Sequence, residues 1–153
     1  QMLRSQLYEM ELRKKKPLEK IKEIGIATSL GKHYLQNYDK GMQFFQNFTG
    51  KIHLLHVIEK DEIEKSELFE DKQHKLQDLL QKAQAAYPQA TISAKLIEPV
   101  QSRARELNFF ASNQGLDLIV VKKTNRIWLL SKLLFASTAQ NLVFHAKTAL
   151  LVI

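Results

Sequence analysis

The chain has 153 residues, of which 44% are hydrophobic and 25% are charged; this length and composition predict one folded globular domain and exclude a disordered chain. The absence of cysteine excludes disulfides, thiolate metal sites and thiol nucleophiles, and it agrees with a reducing compartment. No apolar run approaches the ~18 residues of a membrane span and no signal-peptide pattern opens the chain, so we expect a cytoplasmic location.

The net charge of +7 is concentrated at the two ends of the sequence. Residues 1–22 carry seven Lys or Arg against three Glu, and the segment after Asp117 carries five Lys or Arg with no acidic residue. Such basic clusters favour anionic partners, which include phosphate, acidic protein surfaces, lipid headgroups and nucleic acid. The alternative is solvated charge that serves solubility.

Residues 1–20 are predicted to form a basic helical arm or linker, followed by a folded domain at residues 21–153. The arm favours helix but has only a thin apolar stripe, and Pro17 ends or bends it after the run "RKKK". Because the first residue is not Met, we expect the chain to be part of a longer protein.

Strands and helices alternate through the domain. Hydrophobic runs predict strands at residues 21–28, 51–58, 90–97, 116–121 and 148–153, and helical periodicity predicts helices at residues 34–48, 64–87, about 99–115 and about 130–145. The third strand is the most polar, so we expect it at an edge, whereas "LDLIVV" is continuously apolar and should be central. In the first helix, one face carries Leu35, Tyr38, Met42 and Phe45.

This alternation predicts an α/β fold with a five-stranded parallel sheet and helices on both faces. Ligands of such sheets bind at the carboxyl ends of the strands, near the point where the strand order reverses. In the order 3-2-1-4-5, that point lies between strands one and four. The loops to consider are therefore "SLGKHY" (29–34) and the segment that follows "LDLIVV".

The segment after strand four, "KKTNRIWLLSKLLFAST" (122–138), contains no glycine. A phosphate cradle uses converging backbone amides, and glycine lets the backbone approach the anion closely. This loop instead offers the cations Lys122, Lys123 and Arg126, and it places Ser137 near a helix start. A phosphate bound by these side chains would occupy a looser, salt-sensitive anion site and not an ATP cradle.

Three stretches together resemble the universal stress protein family, over about residues 22 to 153. They are "KIHLLHVIEK" at the second strand, "LDLIVVKK" at the fourth, and "SKLLFASTAQNLVFHAKTALLVI" at the last helix and strand. Their order and separation fit that family. The resemblance implies the sheet order 3-2-1-4-5, with the layering of adenine nucleotide alpha hydrolase-like and flavodoxin-like folds.

The same resemblance implies a degenerate nucleotide site. ATP-binding members carry Gly-x2-Gly-x9-Gly-(Ser/Thr) after strand four, and in this chain the three glycine positions fall on Lys123, Arg126 and Ala136. Only Ser137 agrees with the motif. The family's acidic residue at the end of strand one falls on Ser29. We therefore expect no bound cofactor, with ATP or another nucleotide as the alternative.

Trp128 lies in the segment expected to cover this site, directly after Arg126 and Ile127. One interpretation is an exposed aromatic anchor for a partner protein, since Trp and Arg are enriched in binding hot spots. The other is that Trp128 folds inward and plugs the vacated nucleotide pocket. We favour the plug, because a cavity of that size must be filled.

Other arrangements of reactive residues give little support for catalysis or metal binding. His53 and His56 are three residues apart on a strand, so they point to opposite faces and cannot share a metal; one surface and one packed histidine are expected. The acidic stretch at residues 59–71 lacks the pattern of a calcium loop and is interpreted as a solvated helix start. No Ser-His-Asp arrangement is visible, and we expect no enzyme activity.

The sequence therefore favours a nonenzymatic regulatory or assembly domain that works without a nucleotide. The resemblance implies a homodimer or a tandem-domain pair formed through the last strand, with Leu150 and Val152 in the contact, or a place on the cytoplasmic face of a membrane transporter. The alternative is a nucleotide- or phosphoanion-binding stress sensor that uses Ser29, Lys122, Lys123, Arg126 and Ser137. Nucleic acid is disfavoured as a partner, because the aromatic residues do not interleave with the basic runs.

Overall fold

The computed structural model describes residues 20–98, 100, 102–122 and 148–153, and the account below concerns these residues. They form one parallel sheet of five strands in the order β3-β2-β1-β4-β5, as predicted. The strands are β1 (Glu23–Ala27), β2 (Lys51–Val57), β3 (Thr91–Ile97), β4 (Leu118–Val121) and β5 (Ala149–Val152). The predicted arm and the predicted helix at 130–145 lie outside the described residues.

Helices cover both faces of the sheet. They are α1 (Tyr34–Met42), which continues as a 3-10 turn at Gln43–Phe45, α2 (Lys60–Glu64), α3 (Ser66–Ala86) and α4 (Arg103–Gln114). The side chain of Ser102 accepts a hydrogen bond from the Arg105 amide and so caps α4, which ends at Gly115 with a left-handed φ of 67°. The helices α1 and α3 pack on one face and α4 packs on the other.

Alternation along the strands divides the core into two layers. On β1, Ile24 and Ile26 point toward α1 and α3 and are almost fully buried. On β4, Ile119 and Val121 point toward α4. Every residue of β4 is buried, whereas β3 alternates exposed and half-buried positions. The predictions of an inner fourth strand and a polar edge strand are therefore confirmed.

Two of the predicted helices differ from the observed ones. The first helix loses its α-helical geometry after Met42, and Leu35 is 40% exposed rather than part of the buried face. The second predicted helix, 64–87, is preceded by a separate short helix, α2, and the chain is extended at Lys65 between the two. The side chains of Glu59 and Glu62 form a capping box that starts α2, which fixes this extra helix ahead of α3.

The carboxylate of Asp117 joins β1 to β4 at the start of both strands. One oxygen, Oδ2, accepts hydrogen bonds from the backbone amides of Lys22 and Glu23, each at 2.9 Å. The backbone of Asp117 donates to the Glu23 carbonyl and accepts from the Ala149 amide. Because a charged acceptor binds amides about twice as strongly as a neutral one, this residue fixes the register of β1, β4 and β5 together.

Tyr38 lies in the interface between α1 and α3. Its ring is buried, with the Lys82 ammonium 5.6 Å from the ring centroid, and its hydroxyl has no hydrogen-bond partner in the part of the chain that the structure describes. Burial, the nearby Tyr87 and Asp39 raise the pKa of the Tyr38 hydroxyl above its ordinary value of 10.0. The neighbouring Tyr87 hydroxyl instead donates to the Met42 carbonyl at 3.2 Å.

We expect Tyr38→Phe to raise the free energy of unfolding by about 1 kcal/mol at neutral pH, because it removes a buried hydroxyl that has no partner among the described residues. The folded state holds the phenolic proton of Tyr38 more tightly than the unfolded chain does. Wild-type stability should therefore fall as the pH rises above about 10, and Tyr38→Phe should lose less of it. Urea unfolding of the wild type and the variant at neutral pH and above about pH 10 tests this. Tyr87→Phe is the control and should cost about 1 kcal/mol; an equal cost for Tyr38→Phe contradicts the prediction.

Candidate functional site

A cleft lies at the carboxyl ends of β1, β4 and β5, on the side of the sheet covered by α1. It encloses about 360 Å³, including the part that is open to solvent. The residues that line it are Ile26, Ala27, Thr28, Ser29, Leu30, Tyr34, Asn37, Tyr38, Val120, Lys122 and Ile153. This is the point between β1 and β4 where the strand order reverses, and the sequence predicted a site there.

Two of the predicted site residues meet in this cleft. Ser29 follows β1 and Lys122 follows β4, and both side chains are exposed. Lys123, Arg126, Trp128, Ala136 and Ser137 lie outside the described residues, so their predicted roles stay predictions. Lys122 is the one charged residue among those that line the cleft in the described part of the chain. The lining therefore suits an anionic or a neutral ligand better than a cation.

Leu30 turns the chain sharply at the mouth of the cleft. Its φ of 53° lies in the left-handed region, which costs a residue other than glycine about 1–2 kcal/mol. The next residue, Gly31, does not take this conformation. The Leu30 side chain is fully buried in the core on the α1 side, and that burial offsets the backbone cost.

Two lysines of α3 bind the backbone of this turn. The ammonium groups of Lys72 and Lys75 donate to the Leu30 carbonyl at 2.9 and 3.2 Å. Lys75 also pairs with Asp71 and lies 5.5 Å from the ring centroid of Tyr34, which lines the cleft. The carbonyl therefore faces two cations that belong to the protein, and the turn is held from the α3 side.

His56 holds the other end of the same turn. The imidazole is fully buried, its Nδ1 is 3.0 Å from the Thr28 carbonyl, and its Nε2 is 3.0 Å from Oε2 of Glu62. A carbonyl can only accept, so Nδ1 carries a proton and donates to Thr28. The other oxygen of Glu62 lies 3.8 Å from Lys72. The carbonyls of Thr28 and Leu30 are thus connected through His56, Glu62 and Lys72, and we call these residues, together with Lys75, the turn network.

The sequence did not reveal the turn network. Glu62 was interpreted as part of a solvated helix start, but its side chain is buried on the inner side of α2 and bonded to His56, so that interpretation is wrong for this residue. The prediction that His53 and His56 point to opposite faces is confirmed, with His56 packed; His53 is half-buried rather than a surface residue. Within the described residues, no group of three or more His, Asp or Glu could hold a metal ion.

Leu150 and Val152 lie on β5, at an edge of the sheet. The Leu150 side chain is buried in the core on the α4 side, so it is not available for contact with another chain. The Ala149 and Ile153 amides donate to the carbonyls of Asp117 and Val121. By alternation, the amides at positions 150 and 152 face away from β4, toward the open edge.

The sheet order and the cleft at the switch point define a doubly wound α/β domain. The chain belongs to the universal stress protein family, whose sequence model matches residues 20–153. The family resemblance and the fold predicted from the sequence are therefore confirmed. Among curated proteins, no sequence matches this chain.

Solved structures of that family share the fold at low sequence identity. A family member from Burkholderia pseudomallei is 18% identical with a TM-score of 0.58, covering 86% of this chain and 95% of that one. A universal stress protein from Archaeoglobus fulgidus is 14% identical with a TM-score of 0.58, covering 86% and 93%. A universal stress protein in complex with cAMP is 17% identical with a TM-score of 0.52, covering 87% and 96%.

We expect His56→Ala to lower the free energy of unfolding by about 3 kcal/mol, because it leaves the Thr28 carbonyl and the buried Glu62 carboxylate without their shared partner. Amide exchange at Ser29 and Leu30 should become faster, since the turn loses one of its two supports. The control is His74→Ala on the exposed face of α3, which should change stability by less than about 0.5 kcal/mol. Unchanged exchange at the turn in His56→Ala would show that the turn network does not hold it.

Proposed function

We propose that this chain is a nonenzymatic regulatory or assembly domain of the universal stress protein type, with a switch-point cleft that works without a bound nucleotide. The turn network is the observation that carries the proposal. The carbonyls of Thr28 and Leu30 are already bound by His56, Lys72 and Lys75, so the cleft wall is ordered by the protein's own side chains. Ser29 stands where the resemblance places the family's acidic residue, which further weakens the case for a nucleotide.

The cellular setting of such a domain is part of the same proposal. In the described part of the chain, no helix is both long and apolar enough to cross a membrane. The basic residues of the N-terminal arm suit a linker that lies near anionic headgroups, as on the cytoplasmic face of a membrane transporter. The alternative is a free cytoplasmic protein. The gene sequence on the 5′ side of the Gln1 codon distinguishes this setting from a transporter domain.

A second function, phosphoanion sensing, is favoured by Ser29 and Lys122 at the same cleft. In the described part of the chain, the lining carries the Ser29 hydroxyl, the Lys122 ammonium and no acidic side chain, a combination that suits a phosphate group. The structurally similar universal stress protein in complex with cAMP adds support for a ligand of this class. Lys123, Arg126 and Ser137 would contribute further contacts in this alternative.

Thermal unfolding with and without ATP, AMP, cAMP and cyclic dinucleotides separates the two functions. We expect no rise in Tm, whereas a ligand present at 100 times its Kd would add about 2.7 kcal/mol of stability. A rise that disappears in Lys122→Ala or Arg126→Ala, and that persists in the control Lys40→Ala on α1, would overturn nucleotide independence and establish the sensor. The rise should then weaken with added salt.

Assembly through β5 completes the proposal. Because the Leu150 side chain is buried, a second chain would pair with the outward backbone amides at positions 150 and 152. We expect light scattering to give the mass of a dimer, and Val152→Pro to give a monomer, since proline removes one of those donors. Circular dichroism checks that the variant is folded. A monomeric wild-type chain would contradict assembly through this edge.

A further inference from the structure

Three polar side chains form a continuous line across β1, β2 and β3, on the face that α4 partly covers. The Ser93 hydroxyl oxygen is 3.0 Å from Nδ1 of His53, and Nε2 of His53 is 2.7 Å from Oε1 of Glu23. His53 and Ser93 are paired in the sheet register. These three residues share no member with the cleft, and the sequence did not reveal them because 30 and 40 positions separate the partners.

The hydrogen bonds fix which groups donate. The Glu23 carboxylate can only accept, so Nε2 of His53 carries the proton and donates to it. Nδ1 then has a free lone pair and accepts from the Ser93 hydroxyl. This is the resting arrangement of an activated serine: the hydroxyl faces a base, and an acid orients the base.

The surroundings of Glu23, His53 and Ser93, which we call the line, favour an activated serine. Ser93 is exposed, whereas the side chains of His53 and Glu23 are only 14% and 18% exposed. The ring of Phe110 on α4 packs edge-on against the imidazole, with 5.6 Å between the ring centroids. A reagent can therefore reach the hydroxyl, while the base and the acid lie in a partly shielded environment where their hydrogen bond is stronger than in water.

Two groups near Ser93 can stabilise negative charge. Lys95 follows on the same face of β3, with its ammonium 5.4 Å from the centroid of the Phe110 ring. In the described part of the sheet β3 is an edge strand, and the Thr91 amide donates inward to the Gly50 carbonyl. By alternation the Ala94 amide, directly after the serine, faces this edge, where it can donate to a developing oxyanion.

We propose that Ser93 is an activated serine that accepts an acyl group from an activated ester or thioester. The Ser93 oxygen forms a bond to the acyl carbon, and its proton passes to Nδ1 of His53. The bond between the acyl carbon and the leaving oxygen or sulfur then breaks, and the leaving group takes that proton. The product is an O-acylated Ser93, with no change in oxidation state. His53 is the base, and Glu23 is a positioning residue.

The test is acetylation of the full chain by 4-nitrophenyl acetate, followed by peptide mapping. Ser93 should be acetylated at least about tenfold faster than Ser102, an exposed serine that caps α4 and has no histidine partner among the described residues. Hydroxylamine removes an ester from serine but leaves the amides formed on lysines. Equal rates at Ser93 and Ser102 in the wild type would overturn the proposal, whatever the variants do.

Variants assign the roles. His53→Gln should reduce the rate at Ser93 to that of Ser102, and Ser93→Ala should remove the labelled peptide. Glu23→Gln should lower the rate at Ser93 less than His53→Gln does, because the base remains but loses the carboxylate that orients it, and Glu23→Asp, which keeps a carboxylate, should restore part of the rate. An unchanged rate at Ser93 in Glu23→Gln would exclude Glu23 from the line, and a fast His53→Gln variant would exclude the histidine.

Discussion

The pairing of β1 with β4 is the constraint on which the rest of the structure depends. The Asp117 carboxylate binds the amides of Lys22 and Glu23, so the two strands start in a fixed register from one end of the sheet. The cleft lies at the opposite end of these two strands, between the turn that follows β1 and Lys122 after β4. A shift of one residue would turn Ile24 and Ile26 out of the core and move Ser29 away from Lys122.

The turn after β1 shows how the protein stabilises a conformation that its sequence disfavours. Leu30 is left-handed beside a glycine that does not take that conformation, and the cost is met by burial of its side chain and by charged donors on its carbonyl. In a nucleotide-dependent domain, part of such order would come from the ligand. Here His56, Glu62 and Lys72 supply it, which is why we favour regulation or assembly over nucleotide binding.

The sheet could be predicted from the sequence because its signals are local. A strand such as "LDLIVV" reveals its burial within six residues, and the turn residue Gly115 marks the helix before it. The turn network could not be predicted, since its bonds join His56 to Thr28 and Leu30 to two lysines more than 40 positions away. The predicted burial of Leu35 was wrong for a similar reason. Helical periodicity identifies the apolar face of a helix, but the neighbouring elements decide how much of that face is covered.

The two histidines of β2 show how one strand supports two different arrangements. Three positions apart, they point to opposite faces, so they cannot share a metal ion, yet each can be bonded by the elements on its own side. His56 meets α2 and the turn after β1, where no solvent reaches it, and its only available role is structural. His53 meets an exposed serine on an edge strand and a shielded carboxylate, so its free lone pair faces a group that outside reagents can reach. Burial, rather than residue type, therefore separates the histidine that orders the cleft from the histidine that can act as a base.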